Sequence, residues 1–228
     1  MSAILKTLPE KRVRLTGKEF IAVAVKYSRK VIKQKYQCKT MKLACKNFLD
    51  DIKKQKNKDF DYYLNDFKVA HFCWFAENMP HIKGDLSKLP FPDNLLKLEP
   101  WQVFIFVNIF GWVDKQTHQR RYTEAYIKVP RKNGKSPIAS CVGNYMFAAD
   151  GEPGAEVLAG ASSKDQANAV FEPALAMVKK TPGFCNHFGV KLNAWSMIKE
   201  DASKFERLIG NPGDGGNIHC ALVWRLCF

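Results

Sequence analysis

Residues 129–136 (VPRKNGKS) constrain the fold of this chain more than any other stretch. The run before them, 122–129 (YTEAYIKV), has the composition of a β-strand, and the run after them, 136–149 (SPIASCVGNYMFAA), is compatible with a helix. A strand, a tight turn with Gly-Lys-Ser and a helix form the context that a phosphate-binding P-loop requires. Because Val129 replaces the first glycine of the pattern G-x-x-x-x-G-K-[ST], a basic surface turn stays open as the alternative.

The start of the helix supplies the chemistry of such a loop. Backbone N–H groups at a helix N-terminus attract an anion, and the helix dipole favours its charge. Lys135 would reach the terminal phosphates of a nucleotide, and the hydroxyl of Ser136 would hold Mg²⁺. Pro137 lies just inside the helix start, where proline costs least. The residues expected to surround the phosphates are Lys132, Asn133, Gly134, Lys135 and Ser136.

The positive charge of the chain is concentrated near its start. The 228 residues have a net charge of +14, and residues 1–58 hold 17 Lys and Arg against four acids. A basic appendage on a nearly neutral remainder suggests contact with a polyanion. A solvated pair of basic helices without a ligand explains the charge equally well, so both interpretations stay open.

Cysteine usage and hydropathy favour a soluble, intracellular protein. The seven cysteines are scattered and include no C-x-x-C pair, which argues against a zinc site and against a disulfide framework. No apolar run approaches the ~20 residues that a membrane-spanning helix needs. The first residues turn charged too soon for a signal peptide.

Apolar periodicity predicts an α/β fold. Helical spacing is found over residues 19–32, 41–52, 61–77 and 98–112. In the third of these helices an aromatic stripe is interpreted as core: Tyr63, Phe67, Ala70 and Trp74. Later, strands are expected at 155–160, 195–199, 205–209 and 218–223, with a helix ending near residue 180. Strands that alternate with helices predict a parallel sheet with flanking helices, preceded by a basic helical segment.

Several segments, in this order, resemble the large terminase subunit of tailed phages, the motor that packages DNA into proheads. They are KLACKNFLDD (42–51), LEPWQVFIFVNIFGW (98–112), VPRKNGKS (129–136) and AGASSKDQANAVFEPALAMV (159–178). In that family VPRKNGKS is similar to a deviant Walker A segment, so the departure at Val129 is a family trait. The resemblance implies an incomplete P-loop NTPase sheet over residues 98–228, after a basic helical lead and connector over residues 1–97.

The resemblance also implies roles for individual residues. Arg131 would lie near the phosphates and act with Lys135 in catalysis. Gln102 would contact the edge of adenine, with Trp101 packing nearby, because an amide offers a paired donor and acceptor. A turn arginine in solvent, a core tryptophan and an exposed helical glutamine are the structural alternatives for these three residues.

The family further implies ATP and Mg²⁺ as cofactors and double-stranded DNA as the substrate. In the intact motor the portal protein and the small terminase subunit are the protein partners, in the cytoplasm of a bacterial host and without a membrane. The chain departs from the family after the strand IHCALV (218–223), where an Asp-Glu pair is expected to order Mg²⁺ and to activate water. Trp224 and Arg225 stand there, and neither side chain can perform those tasks.

We therefore expect a chain that is truncated or frameshifted at this point, lacks the nuclease domain, and binds nucleotide with little or no hydrolysis. One alternative is a non-catalytic fragment of a degraded prophage gene that binds nucleic acid or a partner through residues 1–58. A small P-loop kinase is disfavoured because no acceptor-site or lid motif follows the loop. A core that does not fold stably is the remaining alternative, because a parallel sheet that loses strands exposes an edge.

Overall fold

A computed structural model describes residues 14–130, 133–161, 164–209 and 220–224. Its α-helices are α1 (Gly17–Lys33), α2 (Lys39–Lys54), α3 (Asp66–Glu77), α4 (Pro100–Phe106), α5 (Lys135–Ala148), α6 (Lys164–Lys180) and α7 (Phe184–Phe188). Its strands are β1 (Tyr62–Leu64), β2 (Trp112–Asp114), β3 (Glu156–Ala161), β4 (Val190–Leu192), β5 (Ser196–Lys199), β6 (Lys204–Ile209) and β7 (Cys220–Trp224). None of the described helices is both long and apolar enough to cross a bilayer.

The described residues divide into two compact units. The helical unit comprises residues 14–74 and 97–128, and the sheet unit comprises the described residues of 75–96 and 129–224. The chain passes from one unit to the other near residues 74, 96 and 128. The division into domains of residues 1–97 and 98–228 stays a prediction.

Apolar faces of short helices build the core of the helical unit. A capping box starts α1: the Thr16 hydroxyl accepts a hydrogen bond from the Glu19 N–H at 3.3 Å, and the Glu19 carboxylate accepts one from the Thr16 N–H at 2.6 Å. Gly17 permits close packing, because a Cβ there would overlap the carbonyl of Asp66. The ring of Phe72 stacks on that of Phe110 with centroids 3.9 Å apart. Antiparallel β1 and β2 complete this unit.

A five-stranded sheet in the order β4-β5-β6-β3-β7 organises the sheet unit. Strand β3 is central and pairs in parallel with β6 and β7, whereas β4, β5 and β6 pair antiparallel. Helices α5 and α6 pack on this sheet, where the rings of Phe147 and Phe171 contact the fully buried Phe205. The predicted α/β fold is confirmed, with a mixed sheet in place of an all-parallel one.

Three local predictions are wrong. Residues 122–130 form no strand, and residues 122–128 are exposed. A strand is stable only when its backbone groups are paired, and among the described residues none pairs with this segment. Phe67 of α3 is 70% exposed, because the buried face of that helix is formed instead by Val69, Phe72 and Cys73. Helix α3 also begins later than predicted, since residues 62–64 are used by β1.

Candidate functional site

The predicted loop ends where α5 begins. Gly134 is the N-cap residue and has the left-handed conformation, with φ of 71° and ψ of 19°, which favours glycine. No side chain caps this helix, so an external anion could accept hydrogen bonds from its first-turn N–H groups. Pro137 follows in the first turn, where its missing N–H removes one such donor. Lys135 and Ser136 are half-buried at this end of the helix.

The residues that precede Gly134 are only partly described. Asn133 is exposed, and its side-chain amide donates a hydrogen bond to the carbonyl oxygen of Pro130 at 3.4 Å. Arg131 and Lys132, both predicted to lie near the phosphates, are outside the described residues. The structure therefore brings Asn133, Gly134, Lys135 and Ser136 together at the start of α5.

Buried polar contacts hold α5 in place behind the loop. The hydroxyl of Ser140 donates to the carbonyl oxygen of Val170 at 2.8 Å, and the amide of Asn144 donates to that of Ala174 at 3.0 Å. These two contacts are one helical turn apart on both helices and fix the register of α5 against α6. Between them lies Cys141, whose pKa is raised to about 12 by burial. The helix that presents Lys135 is thus anchored by groups with little freedom to move.

The predicted adenine-side residues lie in the helical unit, on α4. Trp101 and Gln102 are half-buried in its first turn. The side-chain oxygen of Gln102 accepts a hydrogen bond from the backbone N–H of Glu99 at 2.8 Å, and the Glu99 carboxylate accepts one from the Gln102 N–H. This reciprocal capping box gives Gln102 a structural task. Its amide nitrogen retains two N–H donors that the box does not use, and adenine contact stays a prediction.

The carboxyl ends of the parallel strands form the edge at which ligands bind in open α/β sheets. Trp224 ends β7 and is in register with Ala161 at the end of β3. Residue 224, where the resemblance leads us to expect an acid, is therefore at this edge of the sheet and is a tryptophan. The described part of the chain contains no group of three or more His, Cys, Asp or Glu residues suited to a metal ion.

Magnesium fits this site only together with a nucleotide. Mg²⁺ prefers octahedral oxygen coordination by carboxylates, phosphates and water. Ser136 offers one hydroxyl oxygen in the first turn of α5, which suits a ligand of a nucleotide-bound ion. A metal site built by protein side chains alone is not found among the residues that the structure describes.

One arginine was not singled out from the sequence. The guanidinium of Arg207, on β6, lies 3.5 Å from the ring centroid of Trp195 and hydrogen-bonds to the side-chain oxygen of Asn168. Its Nε and Nη2 are buried without a partner among the described residues. The sequence gives no signal for this arrangement, because an arginine within the strand FERLI resembles any solvent-facing strand residue.

The chain has an α/β fold in which Gly134, Lys135 and Ser136 lie at the start of α5, a helix that packs on the sheet. Residues 100–201 match the model of the family described as terminase large subunit, ATPase domain. The fold is similar to the crystal structure of the HK97 bacteriophage large terminase, with a TM-score of 0.54 and 18% sequence identity. That similarity covers 68% of this chain and 30% of the HK97 chain. No curated protein matches.

These comparisons confirm the resemblance to the ATPase portion of a terminase large subunit. The matched segment includes α4, the loop, α5, β3 and α6, and the predicted site residues lie on α4, in the loop and at the start of α5. The chain spans less than a third of the length of the HK97 protein.

Proposed function

We propose that this chain is the nucleotide-binding part of a viral DNA-packaging ATPase and that it hydrolyses ATP very slowly or not at all. The observation that carries the proposal is the start of α5, where the left-handed Gly134 precedes Lys135 and Ser136 and no side chain caps the helix, within the segment matched by the terminase ATPase family. The nucleotide expected is ATP, bound with Mg²⁺.

Each residue of the loop has a task in binding. The N–H groups at the start of α5 meet phosphate oxygens, and the Lys135 ammonium neutralises part of their charge. Ser136 supplies one oxygen ligand to Mg²⁺, which neutralises further phosphate charge when it is bound. Arg131, Lys132 and Asn133 complete the cationic and polar rim, and Arg131 acts with Lys135 on the transferred phosphate.

Hydrolysis requires groups that the chain does not provide at the expected place. A carboxylate after β7 would order the metal, and a second would activate the attacking water. Trp224 and Arg225 follow Val223 instead. Neither an indole nor a guanidinium can accept the proton of water at neutral pH, so bound ATP is expected to persist.

In the intact motor we expect duplex DNA as the substrate, with the portal protein and the small terminase subunit as partners, in the cytoplasm of a bacterial host. These assignments come from the family, and they apply to a machine of which this chain spans a part. The contact of Trp101 and Gln102 with adenine belongs to the same proposal.

Nucleotide binding is tested with Lys135→Ala in the full 228-residue chain. Loss of a charged hydrogen bond of about 1.5–3 kcal/mol is expected to raise the Kd for Mg-ATP about tenfold to a hundredfold. Isothermal titration calorimetry measures this change, and Lys83→Ala, which removes an exposed lysine elsewhere in the sheet unit, is the matched control. Equal Kd values for the wild type and Lys135→Ala would refute the assignment of the loop.

A second candidate is a non-catalytic fragment that binds nucleic acid or a protein partner through its basic residues. The observation that favours it is the segment 20–49, which contains eight Lys and Arg and no acid. A chain that fails to bind ATP but binds duplex DNA with a steep salt dependence would support this candidate over the first.

A further inference from the structure

We propose that Arg207, Asn168 and Trp195 form a binding site for a carboxylate, carried by an acidic side chain of a protein partner or by a small organic acid. All three residues belong to the sheet unit: Arg207 lies on β6, Asn168 on α6, and Trp195 in the connection between β4 and β5. We call this cluster the Arg207 site. It uses none of the residues assigned to the nucleotide, so the inference goes beyond the proposed function and does not depend on it.

The side chain of Arg207 starts from the core face of the sheet. Alternate residues of a strand share a face, so Arg207 lies on the same face of β6 as Phe205, which is fully buried. Across the parallel pairing with β3, Arg207 is in register with Ala159, which is also fully buried. A charged side chain on such a face costs folding free energy unless its head group finds hydrogen-bond partners and a counter-charge.

Two contacts fix the position of the guanidinium. Its Nη1 donates a hydrogen bond to the side-chain oxygen of Asn168. Its central carbon lies 3.5 Å from the centroid of the Trp195 ring, which is a close cation–π contact. A guanidinium held in this way has little freedom left to lose when a ligand binds, and its remaining N–H groups are presented in the plane of the group.

The donors that remain are the pair that a carboxylate requires. Nε and Nη2 of Arg207 are buried and have no hydrogen-bond partner among the described residues. Nη1 lies on the same side of the guanidinium as Cδ, so the N–H of Nε and one N–H of Nη2 point in the same direction. These two parallel donors form the side-on fork that binds both oxygens of a carboxylate.

The positive charge of Arg207 has no counter-charge in the described part of the chain. None of the ion pairs there includes this arginine. Glu206 lies on the opposite face of β6, with its carboxylate 3.3 Å from the Lys204 ammonium. Asp201 pairs with Lys199 at 2.9 Å. The acids closest to Arg207 along the chain are therefore used elsewhere.

Charge balance favours a carboxylate over a phosphate. One carboxylate neutralises one guanidinium, so the pair can be withdrawn from water as a neutral unit. A phosphate monoester carries about −1.5 to −2 at neutral pH and would leave negative charge uncompensated beside a single arginine. The planar fork of Arg207 also matches a planar carboxylate.

Trp195 lies between the guanidinium and solvent. The indole is 56% exposed, whereas the Nε and Nη2 atoms of the arginine on which it stacks are buried. We expect rotation of this side chain to admit the carboxylate and its return to exclude water. Exclusion of water strengthens a charge-assisted hydrogen bond, because the local dielectric constant falls.

The test observes the Nε–H signal of Arg207 in proton–nitrogen NMR spectra of the full chain. The probes are the capped tripeptide acetyl-Ala-Glu-Ala-amide, its glutamine counterpart, sodium acetate and sodium phosphate, all at constant ionic strength. The glutamate peptide and acetate are expected to shift this signal downfield, because the hydrogen bond becomes charge-assisted and short. The glutamine peptide is expected to leave it unchanged. A Kd for the glutamate peptide at least about tenfold below that for acetate assigns the site to a protein side chain, and a smaller difference assigns it to a small acid.

Variants separate the fork from charge and from fold, with backbone amide shifts of β6 as the readout. Arg207→Lys keeps the charge but lacks the fork, and is expected to weaken binding of the carboxylates about tenfold. Trp195→Ala is expected to weaken it severalfold, because a solvated guanidinium–carboxylate pair is weak. Arg29→Lys, at an exposed position of the helical unit, is the matched control and is expected to bind like the wild type.

Three results would overturn the proposal. The first is an Arg207 Nε–H signal of the wild type that neither carboxylate shifts at about 100 mM, well above the millimolar Kd of a weak single-site contact. The second is phosphate binding more tightly than both carboxylates. The third is an equal loss of affinity in Arg29→Lys and Arg207→Lys. The first two use the unsubstituted chain, so they decide the question even if a variant fails to fold.

Discussion

At the scale of single residues, burial of Cys141 on α5 is expected to make the free energy of unfolding depend on pH. It is 2% exposed, and burial raises the pKa of its thiol to about 12. The unfolded chain ionises this thiol near about 8.5, so above that pH the folded state binds the extra proton. The resulting stabilisation is fully present below the unfolded pKa and is lost as pH rises toward about 12. We expect the free energy of unfolding to fall more steeply above pH ~9 in the wild type than in Cys141→Ala.

Urea unfolding at a series of pH values measures this difference. Cys38→Ala is the matched control, because it removes a cysteine that is exposed in the folded chain. Tyrosine and lysine ionisation contributes equally to all three proteins and cancels in the comparison. Parallel alkaline slopes for the wild type and Cys141→Ala would show that this thiol does not couple folding to pH.

Residue roles were only partly predictable from sequence. Gly134 was predictable, because its motif specifies a glycine at the turn and the observed φ of 71° is one that glycine tolerates. Gln102 carries a capping-box hydrogen bond to Glu99 that the sequence interpretation overlooked, although the spacing of an N-cap acid and a glutamine three residues later permits it. A motif can identify a residue as a candidate ligand contact, but backbone groups nearby can use the same side chain for a hydrogen bond.

At the scale of secondary structure elements, amphipathic helices were predictable and the strand before the loop was not. Helices α1 and α2 bury an apolar face whose period is visible in the sequence. Residues 122–129 have strand-like composition, yet a strand also requires a neighbour that accepts and donates its hydrogen bonds. The composition of the segment indicates its propensity for β-structure. It does not indicate whether another strand lies beside it to pair with.

The contrast between the unpaired segment 122–128 and the paired strand β3 predicts a difference in amide hydrogen exchange. Residues 122–128 are exposed and make no backbone hydrogen bonds to described residues, so their amides should exchange at nearly the rate of an unfolded chain. Amides of β3, which is paired on both edges, should be among the slowest to exchange. Mass spectrometry of peptides from both segments measures this contrast. Protection of residues 122–128 comparable to that of β3 would mean that the segment is paired as a strand in solution.

At the scale of the whole molecule, the residues proposed to carry the function belong to both units. The family match, residues 100–201, includes α4 of the helical unit and the loop, α5 and β3 of the sheet unit. The sequence could predict that these motifs belong together, because their order along the chain resembles a family. It could not predict how the chain alternates between the units near residues 74, 96 and 128, since that depends on packing between distant segments.

The last prediction concerns turnover by the complete chain. Binding ATP needs only a phosphate cradle, whereas hydrolysis also needs a positioned water, a base and a fully ligated metal. The start of α5 offers a phosphate cradle. The base and the metal ligand are expected at the end of β7, where the strand ends at Trp224. We expect Mg-ATP to be bound but phosphate release, measured by a coupled colorimetric assay, to equal that of Lys135→Ala. Release well above that baseline, and abolished by Lys135→Ala, would show that another group of this chain activates water.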